Sequence, residues 1–320
     1  MEPKSLMKQT SPGVGLVDLD TSHPQAWIPI LRGMGYFIAG VYDGGTVYPE
    51  GYARQFAEGN DIPFVFNSIE EMARHPDVRI AIVHSCDWDL HLGRIAPFAA
   101  EGKAVLVDKP IAGRLDDLVQ LKSWAQAGIR IAGGSSLRYA PEVCAFRVAV
   151  AAKGLPRAVL AGCGVDEFNY GIHTYSMIAG MLGPGMEAAR HTGIHQGMHH
   201  VELTWNSGAS ATLWIGGGAW LPFYATAIHA QTVEYVEAQV ETLYRAEIEV
   251  VMPYLSGNSA EPPLPFAELI EPELAALAAL ASYQRDGRWV RLDDPALGQV
   301  SYDGAAFGRA YRAAKFKTKG

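Results

Sequence analysis

Glu101-Gly102-Lys103-Ala104-Val105-Leu106-Val107-Asp108-Lys109-Pro110 is the stretch that decides the fold. Ala104 to Val107 is a short apolar run of the kind that forms a parallel strand buried on both faces, and Gly102 marks the turn that feeds it. Asp108 and Lys109 then stand at the carboxyl end of that strand. Ligands bind at that end of open α/β sheets, and Pro110 restricts how the lysine leaves the strand. A lysine placed there can do proton chemistry. The competing reading is a surface lysine that happens to follow a strand.

Outward from this segment, the first 130 or so residues alternate strand-like and helix-like patterns, the βαβ rhythm. Strands are expected at 14–17, 36–42, 63–66, 79–84, 104–107 and 129–132. Helical spacing of apolar residues covers 52–58, 69–74, 92–101 and 115–127, with Gly128 as a helix stop. A doubly wound parallel sheet follows. After Arg138-Tyr139-Ala140-Pro141 the rhythm changes. Helices are expected at 141–153 and 173–181, the second ended by Gly183-Pro184-Gly185. Strands at 201–205 and 209–215 flank Asn206-Ser207-Gly208, a hairpin signal. Residues 225–251 mix strand-like and undivided segments, 256–265 with three prolines is a loop, and 271–285 and 304–315 read as helices, the last able to pack back on the first unit. The 320 residues suit two domains,. The expected division is 1–135, α/β with a doubly wound parallel sheet, and 136–320, α+β with a mostly antiparallel sheet.

The net charge of −8 argues against a nucleic-acid partner,. The basic tail Lys315, Lys317 and Lys319 reads as a solvated end. Cys86, Cys144 and Cys163 are odd in number and unrelated in spacing, which suggests neither a disulfide framework nor a thiolate metal site and points to a reducing cytoplasm. Met1 to Pro12 lacks the apolar core of a signal peptide, and no run of eighteen apolar residues occurs, so no membrane partner is expected.

A dinucleotide fingerprint would put glycines in the loop after the first strand, where backbone amides approach the pyrophosphate. Gly13 and Gly15 lie before or within that strand, and the loop itself reads Asp18-Leu19-Asp20-Thr21-Ser22-His23. Two like charges 4 Å apart repel by about 4 kcal/mol at an effective dielectric of about 20, so the carboxylates must turn away if phosphates bind there. They can do so as helix caps, since Asp20, Thr21 and Ser22 precede the helix-starting Pro24. Asp43, ending the second strand, is placed to accept hydrogen bonds from ribose hydroxyls and would repel a 2′-phosphate, which favours NAD over NADP. As part of Asp43-Gly44-Gly45 it is alternatively a turn residue. Ser85 to His91 follows the fourth strand and is expected to wall the nicotinamide, with Trp88 as a flat apolar surface.

The chain resembles the glucose-fructose oxidoreductase, inositol dehydrogenase and MocA (Gfo/Idh/MocA) family. The resemblance rests on His91 opening a helix, the run Ala99 to Ala112, Arg138-Tyr139-Ala140-Pro141, and Asn169-Tyr170-Gly171-Ile172-His173 followed by Leu182-Gly183. The family's Glu-Lys-Pro is Asp108-Lys109-Pro110 here, and Asn169 stands where the family has an aspartate. The resemblance implies a Rossmann domain, then an α/β domain whose open sheet makes homo-oligomer contacts, dimeric or tetrameric. It also implies a cleft where Lys109 and His173 meet the substrate. On this reading Asp20, Thr21, Ser22, His23, Asp43, Ser85, Trp88, His91, Asp108 and Lys109 face NAD. Arg138, Tyr139 and Tyr170 face a hydroxylated small molecule.

The chemistry requires such a pair. Moving hydride from a carbinol carbon to nicotinamide requires removal of the hydroxyl proton, which His173 can accept. Lys109 would hydrogen-bond the same oxygen, stabilise its developing charge and lower the histidine's pKa. Asn169 can donate or accept hydrogen bonds but supplies no charge, and Tyr170 offers a phenol. For His173 the competing role is helix capping. His191, His195, His199 and His200 recur at near-helical intervals, but Gly193 and Gly197 interrupt them, so they read as loop or strand residues, with no metal expected. The sequence thus points to an NAD-linked oxidoreductase of a sugar, cyclitol or polyol. The alternatives are a non-redox elimination or isomerisation, and a non-catalytic binding protein with impaired dinucleotide affinity.

Overall fold

A computed structural model describes residues 12–317. Residues 1–11, most of the polar amino-terminal stretch, and Lys319 lie outside them. The chain opens with β1 (Gly13–Val17), α1 (His23–Gly33), β2 (Phe37–Tyr42), α2 (Tyr52–Gly59), β3 (Phe64–Val65), α3 (Ile69–Arg74), β4 (Val78–Val83), α4 (His91–Ala100), β5 (Ala104–Asp108), α5 (Leu115–Gln126) and β6 (Ile131–Gly134). The strands form one parallel sheet in the order β3-β2-β1-β4-β5-β6. Every residue of β1 and β5 is buried, which is why both read as unbroken apolar runs,. Gly13 and Gly15 sit inside β1, as expected, and their role is packing. A Cβ at Gly13 would collide with the Asp77 carbonyl and the Phe37 ring, and one at Gly15 with Met72.

The strand order reverses between β1 and β4. In a doubly wound sheet this switch point opens a crevice at the carboxyl ends of the strands. The loops after β1, β2, β4 and β5 surround it.

The remaining elements are α6 (Pro141–Lys153), β7 (Ala158–Cys163), α7 (Gly171–Leu182), β8 (Met186–His195), β9 (Met198–Trp205), β10 (Ser210–Gly216), β11 (Tyr224–Ile228), β12 (Val233–Glu237), α8 (Val240–Leu255), α9 (Phe266–Leu269), α10 (Glu271–Tyr283), β13 (Val290–Arg291) and α11 (Gly304–Lys317). Their strands build a second sheet, β12-β11-β7-β10-β9-β8-β13, antiparallel except for β7 beside β10. The expected β9–β10 hairpin closes through Trp205 N–H donating to the Ala209 carbonyl at 3.0 Å. Helices α7 and α10 pack on one face of this sheet, and α7 is buried on nearly every side. The other face is open, exposing Leu160, Trp214, Val233 and Tyr235 among polar residues such as Glu202 and Thr212.

Three segments depart from expectation. β7 and β8 are strands where none was foreseen, and residues 225–251 resolve into β11, β12 and most of α8. Helix α8 then packs against α1, β5 and β6 of the first sheet. A segment that follows β12 of the second sheet thereby returns to the first one, where Tyr244 meets the His23 ring.

Candidate active site

The loop after β1 begins with Asp18 in the left-handed region, φ 58°. That conformation turns its carboxylate inward. Oδ1 accepts from the Gly44 N–H at 2.7 Å, and Oδ2 accepts from the Ser85 hydroxyl and from Arg94 Nε at 2.9 Å. Arg94 neutralises the charge in a largely buried pair,. Asp20 is fully buried, and its Oδ2 accepts from the Cys86 N–H at 2.9 Å while Oδ1 has no partner. Burial, with the Asp18 charge beside it, pushes the Asp20 carboxyl up to about 7,. The two aspartates therefore stitch the β1 loop to the β4 loop across the switch point. Neither caps α1: Ser22 makes no side-chain cap bond, and Thr21 Oγ1 accepts from the His23 N–H instead.

At the end of β5, Asp108 Oδ2 is 2.5 Å from His23 Nδ1 and 3.1 Å from His84 Nδ1, and Oδ1 accepts from the Lys109 N–H at 2.7 Å. Burial opposes ionisation, but the two imidazoles outweigh it and hold this carboxyl well below the usual carboxylate range. The three side chains have ligand atoms within 4.8 Å of one another, and a carboxylate accepting two N–H bonds accounts for the arrangement. Burial keeps His84 neutral by lowering its pKa.

Lys109, joined to Pro110 by a cis bond, extends its Nζ to the Asn169 carbonyl at 3.0 Å and to Asn169 Oδ1 at 3.1 Å, 5.4 Å above the Tyr170 ring. Burial lowers its pKa despite the nearby Asp108 and Asp166 carboxylates. Asn169 thus holds the lysine. Asp166 caps the turn into α7, accepting from the Phe168 and Tyr170 N–H groups at 3.0 and 3.1 Å. His173, on the first turn of α7, does not cap the helix: its Nδ1 lies 2.7 Å from Ser135 Oγ. That contact leaves Nε2 as the ring nitrogen able to meet a substrate hydroxyl. Burial, then the charge of Lys109, hold His173 well below the usual histidine range,.

Other side chains named from the sequence lie elsewhere. Trp88 is core and does not wall the crevice: its Nε1 donates to the Tyr302 carbonyl at 2.9 Å, and its ring packs on Phe168 and Phe307. His91 is buried between the Ile111 and Ser85 carbonyls at 3.0 and 2.9 Å, tying the β4 and β5 loops together. Arg138 is buried and donates to the Glu268 carbonyl at 2.9 Å, joining α9 to the turn before α6 rather than reaching a substrate. Tyr139 packs with Tyr36, Met252 and Leu255, its hydroxyl buried without a partner. Asp43 is half-buried and accepts from the Gly45 N–H at 3.2 Å, the turn role. The four histidines fall on β8 and β9, where the His191 and His199 rings touch and His200 stacks near Trp214.

Sequence reasoning missed Arg94, His84, Ser135 and Asp166, whose partners lie 24 to 76 residues away except in the local Asp166 turn. Of the basic tail, Lys317 is exposed as expected, but Lys315 is not simply solvated. Lys315 Nζ is 2.7 Å from the Asp20 carbonyl and lies 4.3 and 5.2 Å over the Tyr48 and Tyr311 rings.

Residues 32–131 match the family model GFO_IDH_MocA, described as an oxidoreductase family with an NAD-binding Rossmann fold. This stretch carries β2 to the start of β6, including Asp108 and Lys109. Over these residues the chain is similar to that family. Trans-1,2-dihydrobenzene-1,2-diol dehydrogenase of Sus scrofa is 30% identical over 120 residues, 37% of this chain and 36% of that protein. The chain thus matches about a third of the length of this relative. Among solved structures, a probable dehydrogenase from Thermotoga maritima aligns with a TM-score of 0.76 at 15% identity, covering 88% of this chain and 99% of that one. Myo-inositol dehydrogenase from Lactobacillus casei, in complex with NAD(H) and myo-inositol, aligns at 0.74 and 15%, covering 90% and 100%. At such identities the GFO_IDH_MocA likeness beyond residue 131 is one of fold.

Proposed function

We propose that this protein is an NAD-linked oxidoreductase acting at a secondary alcohol or ketone of a sugar, cyclitol or polyol. The observation that carries the reading is Lys109, held by both oxygens of Asn169 and near enough in charge to depress His173. Residues around the switch point fit a dinucleotide. Asp43 brings a half-buried carboxylate to the end of β2, where ribose hydroxyls would lie, Arg94 cancels Asp18, and burial raises the Asp20 carboxyl to about 7. Ser85 is tied to Asp18 and His91 to the loop backbone, so both shape the crevice. When bound, the nicotinamide supplies the hydride acceptor or donor. Lys109 donates a hydrogen bond to the substrate oxygen and stabilises its negative charge, while His173 Nε2 takes the hydroxyl proton. Ser135 fixes the His173 ring, and Tyr170 lines the substrate side beside Phe223.

The break between functional units is placed near residue 135, the cleft lying between them. The open face of the second sheet supports a homo-oligomer, and the free thiols of the described cysteines support a reducing cytoplasm. No helix among the described residues is long and apolar enough to cross a membrane. Titration calorimetry with NAD, NADH and their phosphorylated forms tests the cofactor, followed by a sugar and cyclitol screen on wild type and Lys109→Ala. Tight NAD(H) binding with turnover lost in a folded Lys109→Ala supports the reading. Turnover without any dinucleotide would move the Lys109–His173 pair to elimination or isomerisation.

A further inference from the structure

The contacts of α11 fall on three of the four loops that frame the dinucleotide crevice. Lys315 Nζ reaches the Asp20 carbonyl of the β1 loop at 2.7 Å. Arg312 Nη1 reaches the Gly45 and Thr46 carbonyls of the β2 loop at 3.3 Å each. At the β4 loop, Asp89 Oδ2 accepts from the Gly304 and Ala305 N–H groups at 3.1 and 3.3 Å. Gly308 allows a close approach: a Cβ there would press on Asp87 at 3.2 Å and Thr46 at 3.3 Å. A pyrophosphate brings negative charge to this place, and the usual receptors are lacking. The loop from Asp18 to Ser22 has no glycine, the first amide of α1 is taken by Thr21, and Arg94 is spent on Asp18,. Asp20 Oδ1 is buried there without a partner.

We propose that α11 completes the dinucleotide site, with Lys315 and Arg312 as the cationic groups that bind the pyrophosphate in place of a glycine loop. This rests on the NAD reading above. Lys315 is suited to the task because the Tyr48 and Tyr311 faces hold its ammonium while it remains half-buried,. The Asp20, Gly45 and Thr46 carbonyls that these cations reach are neutral acceptors, weaker partners for a cation than a phosphate oxygen,.

The test is the affinity of ADP-ribose and NADH, by calorimetry, for wild type, Lys315→Ala, Lys315→Arg, Arg312→Ala and the control Lys317→Ala, with melting temperatures as a check on folding. ADP-ribose isolates the phosphate contacts from the chemistry. Loss of a charged hydrogen bond predicts affinity about 10- to 100-fold weaker in Lys315→Ala, restored in part by Lys315→Arg and unaltered in Lys317→Ala. If wild type binds both ligands and Lys315→Ala and Arg312→Ala bind equally well, the proposal is wrong while the NAD reading stands. If wild type binds neither but either alanine variant binds, α11 is a plug and the proposal is equally wrong. If no form binds, the NAD reading falls and takes the proposal with it.

Discussion

Replacing Asp20 by asparagine removes an acid that the fold holds at about 7, against an ordinary value of 3.8. Asparagine keeps an oxygen to accept from the Cys86 N–H, so the change isolates the ionisation. Below pH 3.8 the acid is protonated in folded and unfolded chains alike and contributes nothing. Between 3.8 and about 7 the unfolded chain releases a proton that the folded one retains, so stability falls as pH rises. Above 7 the full cost is present. At about 1.4 kcal/mol per pH unit, that cost is about 4 kcal/mol at pH 8 and about 2 kcal/mol at pH 5. Complete burial of the side chain means that solvent screening reduces this little. Urea unfolding of wild type and Asp20→Asn at pH 5 and pH 8 measures it. The variant should be more stable at both, by a margin larger by about 2 kcal/mol at pH 8. A margin that is the same at the two pH values, or a variant less stable than wild type at pH 8, would refute the account of Asp20 as a buried acid charged at a cost.

Removing Asp108 leaves the buried His84 and the partly buried His23 imidazoles without an acceptor, so Asp108→Ala should lower the unfolding free energy by about 2 to 4 kcal/mol; a loss under about 1 kcal/mol in urea titration would contradict the pairing. Gly133 has φ 125°, and a Cβ there would strike the Val107 carbonyl of the neighbouring strand, so Gly133→Ala should cost at least about 2 kcal/mol by the same assay. Asp43→Ser removes the carboxylate that repels a 2′-phosphate, and the ratio of NADP to NAD affinity should rise at least about tenfold in calorimetry; an unchanged ratio would mean that Asp43 serves the turn alone.

Much of the first sheet was legible because strands buried on both faces are apolar, and residues 104–107 and 80–83 satisfy that without ambiguity,. β8 was not legible. Met186 to His195 contains helix formers and few β-branched residues, and its strand character comes from pairing with β9 and from burial against α10, neither of which is local,. The same holds at the site. Lys109 and His173 were readable as chemistry-bearing residues at a sheet edge and a helix start. The bonds that set their surroundings join residues far apart: Asp108 to His23 across 85 positions, Lys109 to Asn169 across 60. Asp18 and Asp20 were correctly seen as unusual. Their destination was hidden because it depends on Arg94 and on the β4 loop.

The position of α11 also sets an order of events during folding. The contacts that seat it span 215 to 295 residues of sequence, so closing them is among the entropically slowest steps available to the chain. The β1, β2 and β4 loops are made early in synthesis and stay uncovered until residues 304–317 arrive. Amide exchange should therefore find α11 opening more readily than the sheet beneath it, in one unit with the Trp88 turn. The crevice is thus assembled from both ends of the described chain, its floor first and its cover last.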